Sequence, residues 1–289
     1  MSVDLLQEKI RKTKNPSVVD FTADASMLPP QLLEGSGSFL DAYETYCCQL
    51  LDALKGIVPA VRFRFSNFIL LANGGPELLT NLLSYAYERD YYVLLDCVEI
   101  LSPQVAAMAA DTLLGNDSHW QFHGVIVSTY IGSDGLKPFV KKMSDSNKGV
   151  FGVIRTGNKS ASELQDLLSG NRLAHTAAAD LVNRLGEPMP GRSGYNRVGA
   201  LAGASSADGL RALRSKYSRL FMLLDGYDYP NANAKNCSYA FDKLGHGAAA
   251  CAGESILAAW KEGEGDYLEL AVSAVERMKR NLSRYVTIL

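Results

Sequence analysis

The stretch YYVLLDCVEILSPQVA, Tyr91 to Ala106, decides how this chain is read. Five apolar or aromatic residues run into Asp96, then Cys97, Val98 and Glu99 follow, and Pro103 stands where a helix opens. The pattern is a strand that delivers an acid to its C-terminal end, a short loop, and a helix. It recurs along the chain. Apolar runs lie at SVVDF (17–21), AVRFRF (60–65), YYVLLD (91–96), GVIVS (124–128), VFGVI (150–154), VGALAG (198–203), LFMLLD (220–225) and AAACA (248–252). Most are continuous rather than alternating, as parallel strands covered on both faces are.

Helical patterns fill the intervals. Phe39, Leu40, Tyr43, Cys47, Leu50, Leu51 and Leu54 repeat at 3–4 spacing, and Leu78, Leu79, Leu82, Leu83 and Tyr87 do the same. SASE (Ser160 to Glu163) reads as a capping box that opens a helix at LQDLL, and SSADGLRALRSKY opens with capping serines. Val3, Leu6 and Ile10 share one face of a short N-terminal helix, about 2–13. Eight strands alternating with helices predict an α/β fold, a closed (β/α)8 TIM barrel, with a doubly wound open sheet as the alternative. No Pro- or Ser-rich linker divides the chain, so residues 1–289 are expected to form a single domain.

Composition narrows the function classes. At 289 residues the chain suits one barrel, which commonly takes about 250. A net charge of −2 offers no global attraction for nucleic acid or an anionic membrane. No apolar run approaches the ~20 residues of a membrane span. The N-terminus MSVDLLQEKIRK is charged throughout and lacks the apolar segment of a signal peptide. The five cysteines form no C-x-x-C pair, so neither a disulfide framework nor a metal site is expected, and reduced thiols in a cytoplasmic protein are the plain reading.

In such a barrel the chemistry sits at the C-terminal strand ends. Those ends carry Thr22 and Asp24; Arg62 and Arg64 on one face, with Val61, Phe63 and Phe65 on the other; Asp96; Ser128, Thr129 and Tyr130; Arg155, Thr156 and Asn158; Asp225; and Glu254. Arg64 and Glu99 read as rim charges and Asp225 as a turn cap. Arg62 and Asp96 lie on neighbouring strands and should meet near the mouth, as a structural ion pair or a catalytic one.

The ordered series of segments resembles the orotidine 5′-phosphate decarboxylase family, in its longer bacterial subgroup, from about residue 15 to residue 258. YIGSDGLKPF (130–139), GVFGVIRTGNKSASELQ (149–165) and VGALAGAS (198–205) are similar to that subgroup's strand-four, strand-five and strand-six signatures. NPSVVDFTADASMLPP and AVRFRFSNFILLANGG resemble its first two strands. The resemblance implies a (β/α)8 barrel, usually a homodimer, acting in pyrimidine biosynthesis as a lyase without metal or cofactor.

The family's catalytic signature is an aspartate, a lysine two residues on, and a second aspartate three further, lent across the dimer. Asp96 matches the first aspartate, while Val98 stands at the lysine and Leu101 at the second aspartate. Arg62 replaces the strand-two lysine, and Thr22 the ribose-binding aspartate. In the strand-seven loop, LLDGYDYPNANA, Asp225 stands at the family's proline and Pro230 near its glutamine. Glu254 falls near the arginine that meets the phosphate, and is placed to occupy the free amides of the following helix itself. A carboxylate about 4 Å from a phosphate charge costs about 4 kcal/mol at an effective dielectric of 20.

The leading expectation is therefore a non-catalytic homologue, a scaffold or sensor, with Asp96 and Arg62 as its remnant site. Thr22, Ser128, Thr129, Arg155, Thr156, Asn158, Asp225 and Glu254 are its candidate ligand contacts. The alternatives are an enzyme of changed specificity using Arg62, Asp96 and Arg155 on another anionic substrate, or a true decarboxylase with a rearranged site. A small anionic ligand at the mouth, a mouth plugged by Tyr227 and Tyr229, and a homodimer built partly on residues 98–109 complete the expectations.

Overall fold

Eight parallel strands close into a barrel: β1 Ser17–Phe21, β2 Ala60–Arg64, β3 Tyr92–Cys97, β4 Gly124–Ser128, β5 Gly149–Val153, β6 Val198–Gly203, β7 Met222–Asp225 and β8 Ala248–Ala252. The structure, a computed structural model, describes residues 2–289. β1 pairs with β8 through Ser17 and Ala250, so the sheet has no free edge, which excludes the open-sheet alternative. Every predicted strand is present, with bounds displaced by at most two residues. Long apolar crossovers return each strand parallel to the last, among them the helices Phe39–Ala53, Gly75–Glu88, Pro103–Leu114 and Ser133–Met143.

Inward positions are filled by side chains, and glycines make room for the largest. A Cβ at Gly199 would lie 2.5 Å from the ring of Phe151, and one at Gly124 would lie 2.9 Å from it. Outward-facing Phe21 and Phe63 stack at 4.9 Å between the strands and their helices. The N-terminal helix Ser2–Thr13 buries Val3, Leu6 and Ile10. It packs at the barrel's N-terminal end, where the Ser2 hydroxyl donates to the carbonyl of His123 at 2.5 Å and Gln7 accepts from the amide of Gly247 at 3.0 Å. The opposite, C-terminal end is left to the loops.

One expected helix is missing. SASE forms part of a 3-10 turn, Lys159–Glu163, and no α-helix follows. Instead Leu168–Ser169 pairs with Arg172–Leu173 in a small hairpin that turns through Gly170 at φ +67°, and the crossover helix starts only at Ala174. The capping signal is outcompeted by turn chemistry: Gly170 adopts the left-handed region at no steric cost, and Gln165 spends its side chain on the amide of Thr156 at 2.7 Å. SSADGLRALRSKY behaves as expected, with Ser206 capping the helix Ala207–Lys216.

Candidate functional site at the barrel mouth

Alternation along β2 sends Arg62 and Arg64 into the barrel, and Arg62, 3% exposed, becomes the hub of the interior. Its Nη2 donates to Asp20 on β1 and, at 2.9 Å, to Asp225 at the end of β7. Its Nη1 lies 3.8 Å from Asp96, and Arg64 Nε lies 3.6 Å from the same carboxylate. These last two are charge contacts rather than hydrogen bonds. Asp96, 1% exposed, accepts only the amide of Val98, at 3.3 Å. Arg62 and Asp96 thus do meet, but Asp20 and Asp225 hold the guanidinium more closely.

Asp20 was not among the candidates. It is directly paired with Arg62 in the strand register. The signal was present in SVVDF, where an acid interrupts an apolar strand on the inward face two residues before Thr22. Asp225, a candidate ligand contact whose plainer reading is a turn cap, salt-bridges Arg62 and also accepts the amide of Gly157 at 3.3 Å.

Burial and charge set these carboxyls apart. Burial pushes Asp20 up to about 6, opposed by Arg62 and reinforced by Asp225. Burial raises Asp96 as well, against the pull of Arg62 and Arg64. Burial also penalises Asp225, but Arg62 and the Gly157 amide more than offset it, and its pKa falls below the usual carboxylate range. The surrounding carboxylates keep Arg62 charged despite its burial.

Two cavities open at the mouth. The first, about 200 Å³, is bounded by Asp20, Thr22, Arg62, Asp228 and Glu254. The second, about 350 Å³, is bounded by Asp96, Val98, Ser128, Thr156 and Asn158. Arg64, Asp225 and Tyr229 line both and divide them. Tyr229 packs its ring over Gly157 and Gly226, where an added Cβ would meet it at 2.9 and 2.2 Å. Tyr227, expected beside it as a plug, packs against the core instead. No lysine lines either cavity, and no cluster of metal-ligating side chains occurs among the described residues.

The end near β8 differs from expectation. Glu254 borders the first cavity as the first residue of the short helix Glu254–Leu257, but it is exposed. The amide of Gly253 is taken by Asp228, at 2.6 Å, which also accepts the hydroxyl of Ser255. Gly226, at φ +75°, turns the chain sharply after β7, and the amide of Tyr227 donates to the carbonyl of Cys251 at 3.0 Å. That anchoring carries Asp228 over β8, a placement set by a turn rather than by sequence proximity.

Two further candidates do not face a cavity. Thr129 donates its hydroxyl to the carbonyl of Val153 and ties β4 to β5. Arg155 forms a two-pronged pair with Asp166, at 2.9 Å on each prong, and bonds the carbonyl of Thr156 at 3.0 Å. Its donors are spent on the loop after β5, because the 3-10 turn and hairpin bring Asp166 back against the barrel.

No family model matches the chain. Among curated proteins, it is 28% identical over 292 residues to the orotidine 5′-phosphate decarboxylase of Rhodopirellula baltica, covering 98% of this chain and 95% of that one. It is 24% identical over 292 residues to that of Clostridium novyi, covering 98% of each. Among solved structures, a putative orotidine-monophosphate-decarboxylase from Toxoplasma gondii superposes with a TM-score of 0.79 at 20% identity, covering 97% of this chain and 98% of that one. The relatives support the orotidine 5′-phosphate decarboxylase family, and the superposition shows the shared TIM-barrel fold.

Proposed function

We propose that this decarboxylase-like barrel no longer performs orotidine 5′-phosphate decarboxylation and acts as a cytoplasmic scaffold or sensor with a ligand-binding mouth. One observation carries the reading: among the described residues, the only basic side chains lining the two cavities of the mouth are Arg62 and Arg64. Losing CO₂ from the pyrimidine leaves a carbanion that must be stabilised and then protonated. A guanidinium with a pKa above about 12 is a poor proton donor, and Val98, at the position of the family's lysine, can donate nothing. Arg62 is further committed to Asp20 and Asp225. Removing one group of this kind commonly costs a factor of about 10² to 10⁴.

A second reading is favoured by the relatives themselves, which carry the decarboxylase name and align along 98% of the chain. In it, the protein is an orotidine 5′-phosphate decarboxylase of pyrimidine biosynthesis whose rearranged site relies on Arg62, Arg64 and Asp96. Changed specificity on another anionic substrate has less support, since Arg155, one of its three groups, is held by Asp166.

The purified protein with orotidine 5′-phosphate, followed by loss of substrate absorbance, separates the readings. No turnover above a matched blank is expected. Turnover abolished by Asp96→Asn would establish the second reading.

A further inference from the structure

The first cavity carries a charge opposite to what a phosphate needs. Four carboxyl groups line it, Asp20, Asp225, Asp228 and Glu254, against two guanidiniums, Arg62 and Arg64. With all six ionised the lining sums to −2. The Gly253 amide and the Ser255 hydroxyl at its rim are already held by the carboxylate of Asp228. An arriving phosphate would have to displace that carboxylate and then remain near it.

Two residues that line the cavity also carry unmet polar atoms. Arg62 Nη1 and Asp20 Oδ1 are buried, and neither has a hydrogen-bond partner. Arg62 is 3% exposed. A buried donor and a buried acceptor on paired residues are costly unless something meets them. The complement is a small polar molecule that offers an acceptor to Arg62 and a donor, or a positive charge, to the surrounding carboxylates.

We infer that the first cavity of the mouth selects a small phosphate-free ligand carrying an ammonium or similar cationic group, and rejects phosphate esters. This rests on the reading of the chain as a barrel that has left the family reaction, and it departs from the anionic ligand expected from the sequence. Asp228 and Glu254 are the specificity-determining residues, because they add negative charge at the rim without contacting Arg62.

The test is calorimetric binding of three matched probes: 5′-amino-5′-deoxyuridine, uridine and uridine 5′-monophosphate. They share one body and differ in the charge of one end. The amine is expected to bind at least about tenfold more tightly than the monophosphate at low salt, with the gap narrowing as salt rises. Glu254→Gln, at an exposed position that supports no packing, should narrow the gap, and Glu254→Gln with Asp228→Asn should narrow it further. A monophosphate that binds as well as the amine, or an amine that does not bind at all, overturns the inference. So does a preference that both variants leave unchanged. These outcomes are read from inert probes, so they stand apart from the turnover assay: a failed charge preference leaves the loss of decarboxylation intact.

Discussion

Arg62 Nη2 and Asp225 Oδ1 lie 2.9 Å apart although 163 positions separate them in the chain. They stand on β2 and β7, three strands apart around the barrel, and Asp20 on β1, between them in the strand order, accepts from the same nitrogen. This contact spans the interior just beneath the mouth, so it belongs at once to the stability of the barrel and to the floor of its cavity.

Removing the cation should therefore be expensive. Arg62→Met keeps most of the volume but leaves Asp20, Asp225 and Asp96 without their shared partner. Breaking a buried pair in this way commonly costs ~3–5 kcal/mol. Urea unfolding should show that loss at pH 8 and a smaller one near pH 5, where protonation of Asp20 relieves the uncompensated charge. A loss below about 1 kcal/mol at both pH values would show that the network contributes little.

Asp20 should leave a signature in the pH dependence of stability. Its folded pKa, about 6, lies above the 3.8 of an ordinary aspartate, so between these values the folded chain binds its proton more tightly than the unfolded chain. The stabilisation is present below the lower value and is lost as pH rises through about 6. The groups facing it are Arg62 and Arg64 from β2, Asp225 from β7 and Cys251 from β8. Asp20→Asn should improve relative to the parent as pH rises from 4 to 7. A difference in Tm that stays constant across that range would refute the assignment.

Leu101, Val105 and Met108 follow β3 and are 59%, 48% and 69% exposed, an apolar group with no cover in the monomer. Such a patch fits an interface between two copies, the homodimer expected on residues 98–109. Sedimentation at micromolar protein should give a dimer, and Met108→Glu should shift it toward monomer without lowering Tm appreciably. A monomeric parent protein would end this account of the patch.

Restoring the family signature should not restore the reaction. Val98→Lys with Leu101→Asp would put an ammonium beside Asp96, which already faces Arg62 and Arg64. The added lysine would be a third cation around one carboxylate, partly buried and open to losing its charge. Binding energy from a remote phosphate would still be missing, since Asp228 and Glu254 remain at the rim. The double variant should fold and release no CO₂ from orotidine 5′-phosphate. Substantial turnover from these two changes alone would mean that Asp228 and Glu254 do not block the phosphate.

Strand content and closure were legible in the sequence because both are repetitive and local. Each run is apolar enough to be buried on both faces, and the chain has room for a helix between most neighbours, so the eight units have few ways to assemble. Period-two alternation was enough to put Arg62 and Arg64 on one face of their strand, and the strand-end position of Asp96 brought it near Arg62 at the mouth. The partners of those residues were not legible. Closing the sheet sets Asp20 and Asp225 against the same nitrogen of Arg62, a turn at Gly226 carries Asp228 onto the Gly253 amide, and a hairpin at Gly170 follows the Asp166 that takes Arg155. Hydrophobic pattern acts residue by residue and survives in a linear text. Ion pairing depends on which loops return to which strand ends, and that is settled only when the whole barrel is closed.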